Sequence, residues 1–210
     1  MNISASSCKN LTVDVDVAVA TAIIYSTGES EEVCKAQATE LAKDIVEQYL
    51  YDFDNVVGMS VELDRVRCID GKGIMSTEHR CTFEIHQKGK DLFCSLSTLE
   101  AICCELSDIR LIELSAFPSP NLVSEATNKV IIDAYNQAEY EAKCIVTNMG
   151  KSGLDILNVS IKDIGNSALK ESFVIPDPSN ADREVFFDNI HKIFSSTKVI
   201  AREVTVVLSC

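Results

Sequence analysis

The sequence lacks the residue patterns that most often carry catalysis. Only three of the 210 residues are histidines, and His79 and His86 lie seven apart on a predicted strand, so they point to opposite faces and are not expected to share a metal. No C-x-x-C pair gives the spacing of a zinc ribbon or a thioredoxin-type site. H-E-x-x-H, G-x-S-x-G and a glycine-rich phosphate loop after a strand are missing too. We therefore predict a protein that is not an enzyme and that uses no metal or cofactor.

Long apolar runs and runs of basic residues are also missing. The opening residues MNISASSCKN have neither a basic start nor an apolar stretch, which predicts no secretory signal and no membrane span. The chain carries 19 basic against 32 acidic residues, a net charge of −13. Such a surface repels phosphate backbones and anionic lipids, so neither nucleic acid nor a membrane is expected as the main partner.

Cysteine, by contrast, is abundant, with nine residues. Several fall where a helix or strand would point inward, and there an unpaired cysteine packs like a small apolar residue. So many unpaired thiols suit a reducing compartment. The Cys103-Cys104 pair has two interpretations. It is either a redox or nucleophilic pair, or one thiol in an apolar helix face next to one exposed thiol.

The hydrophobic pattern predicts an α/β chain of the α+β kind. Three main helices and a mixed, largely antiparallel sheet are expected, with the helices on one face. The strands are predicted at 11–25, 56–69, 77–86, 109–117, 154–163 and 198–208, and the helices at 29–51, 91–106 and 121–149. The second and third strands are expected to form an antiparallel hairpin. The second helix is expected to bury one apolar seam, made of Leu92, Leu96, Leu99, Cys103 and Leu106. Because the closing strand must pair with earlier strands, we predict a single domain over 1–210 with an insertion at about 164–196.

The third predicted helix carries a row of small side chains at i+4 spacing. The row contains Ala126, Val130, Ala134, Ala138 and Ala142. Small residues let a helix lie close to a sheet or to a neighbouring helix. At a rise of about 1.5 Å per residue the helix spans about 43 Å, more than a compact domain of this size needs. We expect it to protrude or to support an interface.

Two further segments are candidate binding sites. Segment 181–194 has a heavy apolar content that could dock in a partner's groove or fold back on the chain's own sheet: Phe186, Phe187, Ile190, Ile193 and Phe194. Asp14 and Asp16 could hold a metal, but they alternate with valines expected to be buried. A solvated strand face is therefore the expected location of both carboxylates.

Several strings, in this order along the chain, resemble the SIMPL-domain family, named for a signalling molecule that associates with a pelle-like kinase. The strand and helix CTFEIHQKGKDLFCSLSTLE (81–100) and the string AFPSP (116–120) come first. The long helix with its glycine turn and following strand (125–160) is the most recognisable stretch, and SSTKVIAREVTVVLSC (195–210) resembles the terminal strand. The resemblance covers 12–163 and 195–210. The glycine-containing first strand followed by Pro-Asp, found in many members, is missing here.

The resemblance implies a function in protein binding. Animal members resemble intracellular adaptors that bind a receptor-associated kinase and support NF-κB-type signalling. Membership would therefore imply a protein partner of that kind and a cytoplasmic location, with the nucleus as a second compartment. Bacterial members are typically exported, and some assemble into ring-like oligomers. A self-assembling structural homo-oligomer is therefore the alternative function.

Overall fold

The computed structural model describes residues 2–49, 56–69, 71, 73–151, 155–164, 169–176 and 197–209. The α+β class predicted from the sequence is confirmed, because three helices accompany two sheets whose described strand pairs are all antiparallel. In chain order the elements are β1 (Asn2–Asp14), β2 (Val17–Gly28), α1 (Glu31–Tyr49), β3 (Val56–Ile69), β4 (Met75–His86), α2 (Lys90–Glu105), β5 (Ile109–Phe117), α3 (Pro120–Asn148), β6 (Asp155–Asp163), β7 (Glu171–Val174) and β8 (Thr197–Ser209).

The chain divides into two compact units. The terminal unit combines Met1–Asp14, Pro118–Leu169 and Thr197–Cys210, and the central unit combines Val15–Phe117 and Lys170–Ser196. The single domain predicted over 1–210, with its insertion at about 164–196, stays a prediction beside this division.

The central unit is a five-stranded sheet in the order β3-β4-β2-β5-β7, with α1 and α2 packed on one face. Small side chains at alternate positions of β2 (Ala18, Ala20 and Ala22) allow the helices to come close. On α2 the predicted apolar seam is confirmed, since its first four members are buried: Leu92, Leu96, Leu99 and Cys103. The predicted hairpin is also confirmed, because β3 pairs with β4 and Gly73 in the connection has a φ of 85°, a conformation that favours glycine.

The terminal unit is a three-stranded sheet in the order β1-β8-β6, with α3 packed on β1 and β8. The predicted row of small residues on α3 is buried, and Ala134, Ala138 and Ala142 pack against the apolar side chains of β8. β1 and β8 each have 13 residues. At about 3.4 Å per residue these strands are about as long as the helix. The helix length is therefore explained by the strands it covers rather than by protrusion.

The strand predicted over 11–25 is in fact two strands in two different sheets. β1 ends at Asp14 and β2 begins at Val17, so the unbroken Val-Asp alternation hides a change of sheet. Val13 belongs to an apolar cluster of the terminal unit and Val15 to the core of the central unit. Residues 2–10 were not predicted as strand because inward positions such as Ala5 and Ser7 are small or polar. Ala5 packs against the cluster that contains the small side chains of α3, so little bulk is needed there.

Candidate functional site

The structure describes some of the candidate sites predicted from the sequence and not others. Phe186, Phe187, Ile190, Ile193 and Phe194 lie outside the described residues, so the docking role of segment 181–194 stays a prediction. Asp14 is exposed and Asp16 is half-buried. Among the described residues, no group of three or more His, Cys, Asp or Glu side chains is placed to hold a metal. None of the described helices is long and apolar enough to cross a membrane.

The most distinctive surface lies on the central unit, on the sheet face opposite α1 and α2. Four of the chain's six arginines meet there, and we call this surface the arginine face: Arg65 and Arg67 of β3, Arg80 of β4 and Arg110 of β5. They line one open depression of about 460 Å³. Tyr25 and the apolar side chains of Ile23, Ile112 and Val174 complete its lining.

Strand pairing places these side chains together. Ile23 of β2 is paired with Arg80 on one side and with Arg110 on the other, so the two arginines flank it. In the next row, Glu78 pairs with both Tyr25 and Arg65. Since neighbouring strands lie about 4.8 Å apart, Arg80 and Arg110 start about 10 Å from each other.

A β-bulge decides which way Arg110 points. The pairing of β2 with β5 shifts between Thr21 and Ala22, where Ile112 is the extra residue on β5. The shift sends Leu111 into the core and Arg110 to the open face. With unbroken pairing, the positions of these two residues would be exchanged, because side chains alternate strictly along a strand.

Glu78 is the buried carboxylate at the centre of the arginine face. Its side chain is 5% exposed, and its two oxygens accept from Arg65 Nε at 2.5 Å and Arg67 Nε at 2.9 Å. The hydrogen bond from Arg65, aided by the charges of Arg65, Arg67 and Arg110, lowers the pKa of Glu78 although burial opposes the shift. Arg67 also lies over the ring of Tyr25, with 5.4 Å from Cζ to the centroid. Glu78 therefore holds two arginines in fixed positions.

Sequence reasoning missed the arginine face because its members are spread over residues 65 to 110. The only local signal is a spacing of two, which places Arg65 with Arg67, and Glu78 with Arg80, on one face of a strand. No run of basic residues results, and the strongly acidic chain hides the local excess. Pairing of β3, β4, β2 and β5 is what brings the four side chains together.

A second polar cluster is buried in the central unit, on the helix-covered face. Ser26 Oγ lies 2.9 Å from Thr77 Oγ1 and 3.2 Å from His79 Nδ1. All three side chains are buried, and His79 Nε2 has no hydrogen-bond partner among the residues that the structure describes. Burial lowers the pKa of His79, so its neutral form is favoured. Because the cluster is packed away from solvent, we interpret it as a structural group rather than as a nucleophile with its base.

The eight described cysteines are all free of disulfide bonds. The expected placement of the Cys103-Cys104 pair is confirmed, since Cys103 is buried and Cys104 is exposed and contacts Glu100 Oε1 at 2.8 Å. Burial raises the pKa of the neighbouring core thiol Cys81 to about 12, which makes it an inert apolar side chain.

Comparison with known proteins assigns no family. No family model and no curated protein matches the chain. Among solved structures, a tripeptidase from Staphylococcus aureus subsp. aureus Mu50 aligns with 67% of this chain at 11% identity and a TM-score of 0.29. The aligned part spans 37% of the tripeptidase chain. A similarity this low carries no argument about fold or activity.

Proposed function

We propose that the protein is a non-enzymatic binding protein that contacts a partner protein through the arginine face. The observation that carries this proposal is the grouping of four arginines and Tyr25 around an open, partly apolar depression. Arginine and tyrosine are enriched at the energetic centres of protein interfaces. The resemblance to SIMPL-domain adaptors supports the same kind of function. It suggests kinase-linked, NF-κB-type signalling in the cytoplasm or nucleus, with a receptor-associated kinase as partner.

Site-specific cross-linking tests this proposal. A photoreactive amino acid is placed at Val174, which is 81% exposed at the rim of the depression, and the protein is irradiated in an extract of its native cell. We expect discrete cross-linked partners that disappear in the Arg80→Gln/Arg110→Gln variant. Lys129→Gln/Lys143→Gln is the matched control, because it removes the same charge from exposed positions on α3. Equal cross-linking in the two variants contradicts the proposal.

Self-assembly is a second candidate function, and one observation favours it. β6 is the last strand of its sheet among the described strands, and every one of its residues is exposed. Ile156, Val159 and Ile161 are 49%, 39% and 53% exposed on this strand. An exposed apolar edge strand is a template for pairing with another chain. A second copy of this chain could therefore continue the sheet.

A further inference from the structure

The arginine face groups positive charges that an anionic ligand would neutralise. Its lining contains four arginines against three carboxylates, Asp64, Glu78 and Glu113, and so carries one net positive charge. The chain as a whole has a net charge of −13. A positive surface on so acidic a molecule attracts anions selectively, because the rest of the surface repels them.

The internal ion pairs hold the arginines in place without covering them. Arg65 and Arg67 contact Glu78 through their Nε atoms, and their side chains remain 63% and 52% exposed. Arg80 meets Asp64 Oδ1 through Nη2 at 3.2 Å and remains 56% exposed. A guanidinium has five N–H donors, so one such contact leaves several for a ligand. Its planar fork fits the oxygen pairs of carboxylates and phosphates.

The apolar part of the lining indicates what kind of molecule carries the anion. Ile112 and Val174 supply the accessible apolar surface, toward β7, while Ile23 between Arg80 and Arg110 is largely buried. A free ion would use the arginines alone, whereas a peptide also places neighbouring side chains on this apolar surface. The depression is open to solvent, which leaves room for an extended segment to lie across it. Clusters of arginines are a recurring means of recognising acidic or phosphorylated peptide motifs.

We propose that the arginine face binds an acidic or phosphorylated segment of a partner protein. This inference rests on the proposed binding function and specifies the chemistry of the partner. The shared chemistry is a group of anionic oxygens flanked by apolar side chains. Arg80 and Arg110 clamp the anion, and Glu78 positions Arg65 and Arg67 beside it.

Fluorescence anisotropy with defined peptides tests the inference. Three labelled peptides share one neutral, partly apolar sequence and differ only in three central residues, which are serine, glutamate or phosphoserine. Each is titrated with the full chain at low and high salt. We expect the two anionic peptides to bind at least about tenfold more tightly than the serine peptide, with weaker binding at high salt. The tighter of the two anionic peptides identifies carboxylate or phosphate as the preferred group.

The variants separate the arginine face from general charge effects. We expect Arg80→Gln/Arg110→Gln to weaken anionic-peptide binding about tenfold or more, and Lys129→Gln/Lys143→Gln to change it by less than about twofold. Arg80→Lys/Arg110→Lys keeps the charge but loses the fork, so it should bind with intermediate affinity. Thermal unfolding of each variant shows whether the fold is retained, and the lysine variant keeps the test valid should the glutamine variant unfold.

Several outcomes would overturn the inference. Equal affinity for all three peptides removes the anion preference, and equal loss in the glutamine variant and its control removes the arginine face. Inorganic phosphate that competes as well as the phosphopeptide points to a small anion instead, and tighter binding of a single-stranded oligonucleotide points to nucleic acid. If cross-linking at Val174 depends on the arginines while no peptide binds, only the anionic chemistry is wrong. If neither experiment responds, the proposed function is wrong as well.

Discussion

The role of a single side chain in this protein depends on whether that side chain is buried. His79 and His86 belong to the same strand, yet His79 is buried beside Ser26 and Thr77 while His86 is exposed and pairs with Glu84 at 2.7 Å. Their opposite faces follow from the odd spacing of seven. The difference in environment follows from which face the helices cover. The two histidines of this strand therefore have different roles, His79 inside the protein and His86 on its surface.

The buried position of His79 predicts a pH-dependent stability. Because burial lowers its pKa below the ordinary value of about 6.5, the unfolded chain binds the proton more tightly. The neutral, buried His79 therefore contributes fully to the free energy of unfolding above about pH 6.5. This stabilisation is lost as the pH falls from there through the folded-state pKa. We expect the wild-type free energy of unfolding, measured by urea titration, to fall between about pH 7 and pH 5.

Two leucine variants assign this effect. His79→Leu should show a flatter pH profile between about pH 7 and pH 5, because the buried imidazole is removed while Ser26 and Thr77 still pair with each other at 2.9 Å. His86→Leu, at the exposed position, should keep the wild-type profile. Superimposable profiles for His79→Leu and the wild type would refute the assignment.

Among the helices and strands, matched lengths explain the arrangement better than local preference. The 29-residue α3 and the 13-residue strands β1 and β8 span similar distances, so one helix covers two strands along their length. The third strand, β6, lies at the edge of the same sheet with all its residues exposed. The small-residue row of α3 is thus used inside the chain, and β6 is left as the candidate for contact with another molecule.

The exposure of β6 predicts a change in oligomeric state. If a second copy pairs with this edge, the mass measured by light scattering should be a multiple of 23.0 kDa, the mass of one chain. Val159→Lys should return it to the mass of one chain, because a charged residue on an edge strand opposes pairing. Val199→Lys is the control, since Val199 has the same 39% exposure on β8, the middle strand. A wild-type mass of 23.0 kDa would exclude self-assembly through β6.

For the whole chain, the central question is whether the two compact units unfold together. The terminal unit is built from three separate stretches of chain, and its middle strand β8 forms both of its ladders. Val204 of β8 is fully buried under α3. An uncompensated charge at such a position is among the most destabilising of substitutions.

Val204→Asp tests the cooperativity of the chain. We expect this substitution to lower the free energy of unfolding by about 3 kcal/mol or more. Hydrogen exchange followed by mass spectrometry should show faster exchange in β1, α3 and β8 and unchanged protection in β2, β4 and α2. Thr205→Asp is the control on the opposite, half-exposed face. Faster exchange in both units would instead support the single domain predicted from the sequence.

Local pattern was sufficient for the helices, the β3–β4 hairpin, the apolar seam of α2 and the small-residue row of α3. Each helix feature depends on a periodicity that marks one face of one element, and the hairpin depends on a turn signal between two consecutive strands. Sheet membership was beyond that reasoning, because Val13 and Val15 continue one alternation and yet belong to different cores. The arginine face was beyond it as well. Its four side chains meet through strand pairings between distant segments, and a single bulge at Ile112 turns Arg110 outward. Such pairings are long-range contacts, and only the tertiary structure decides them.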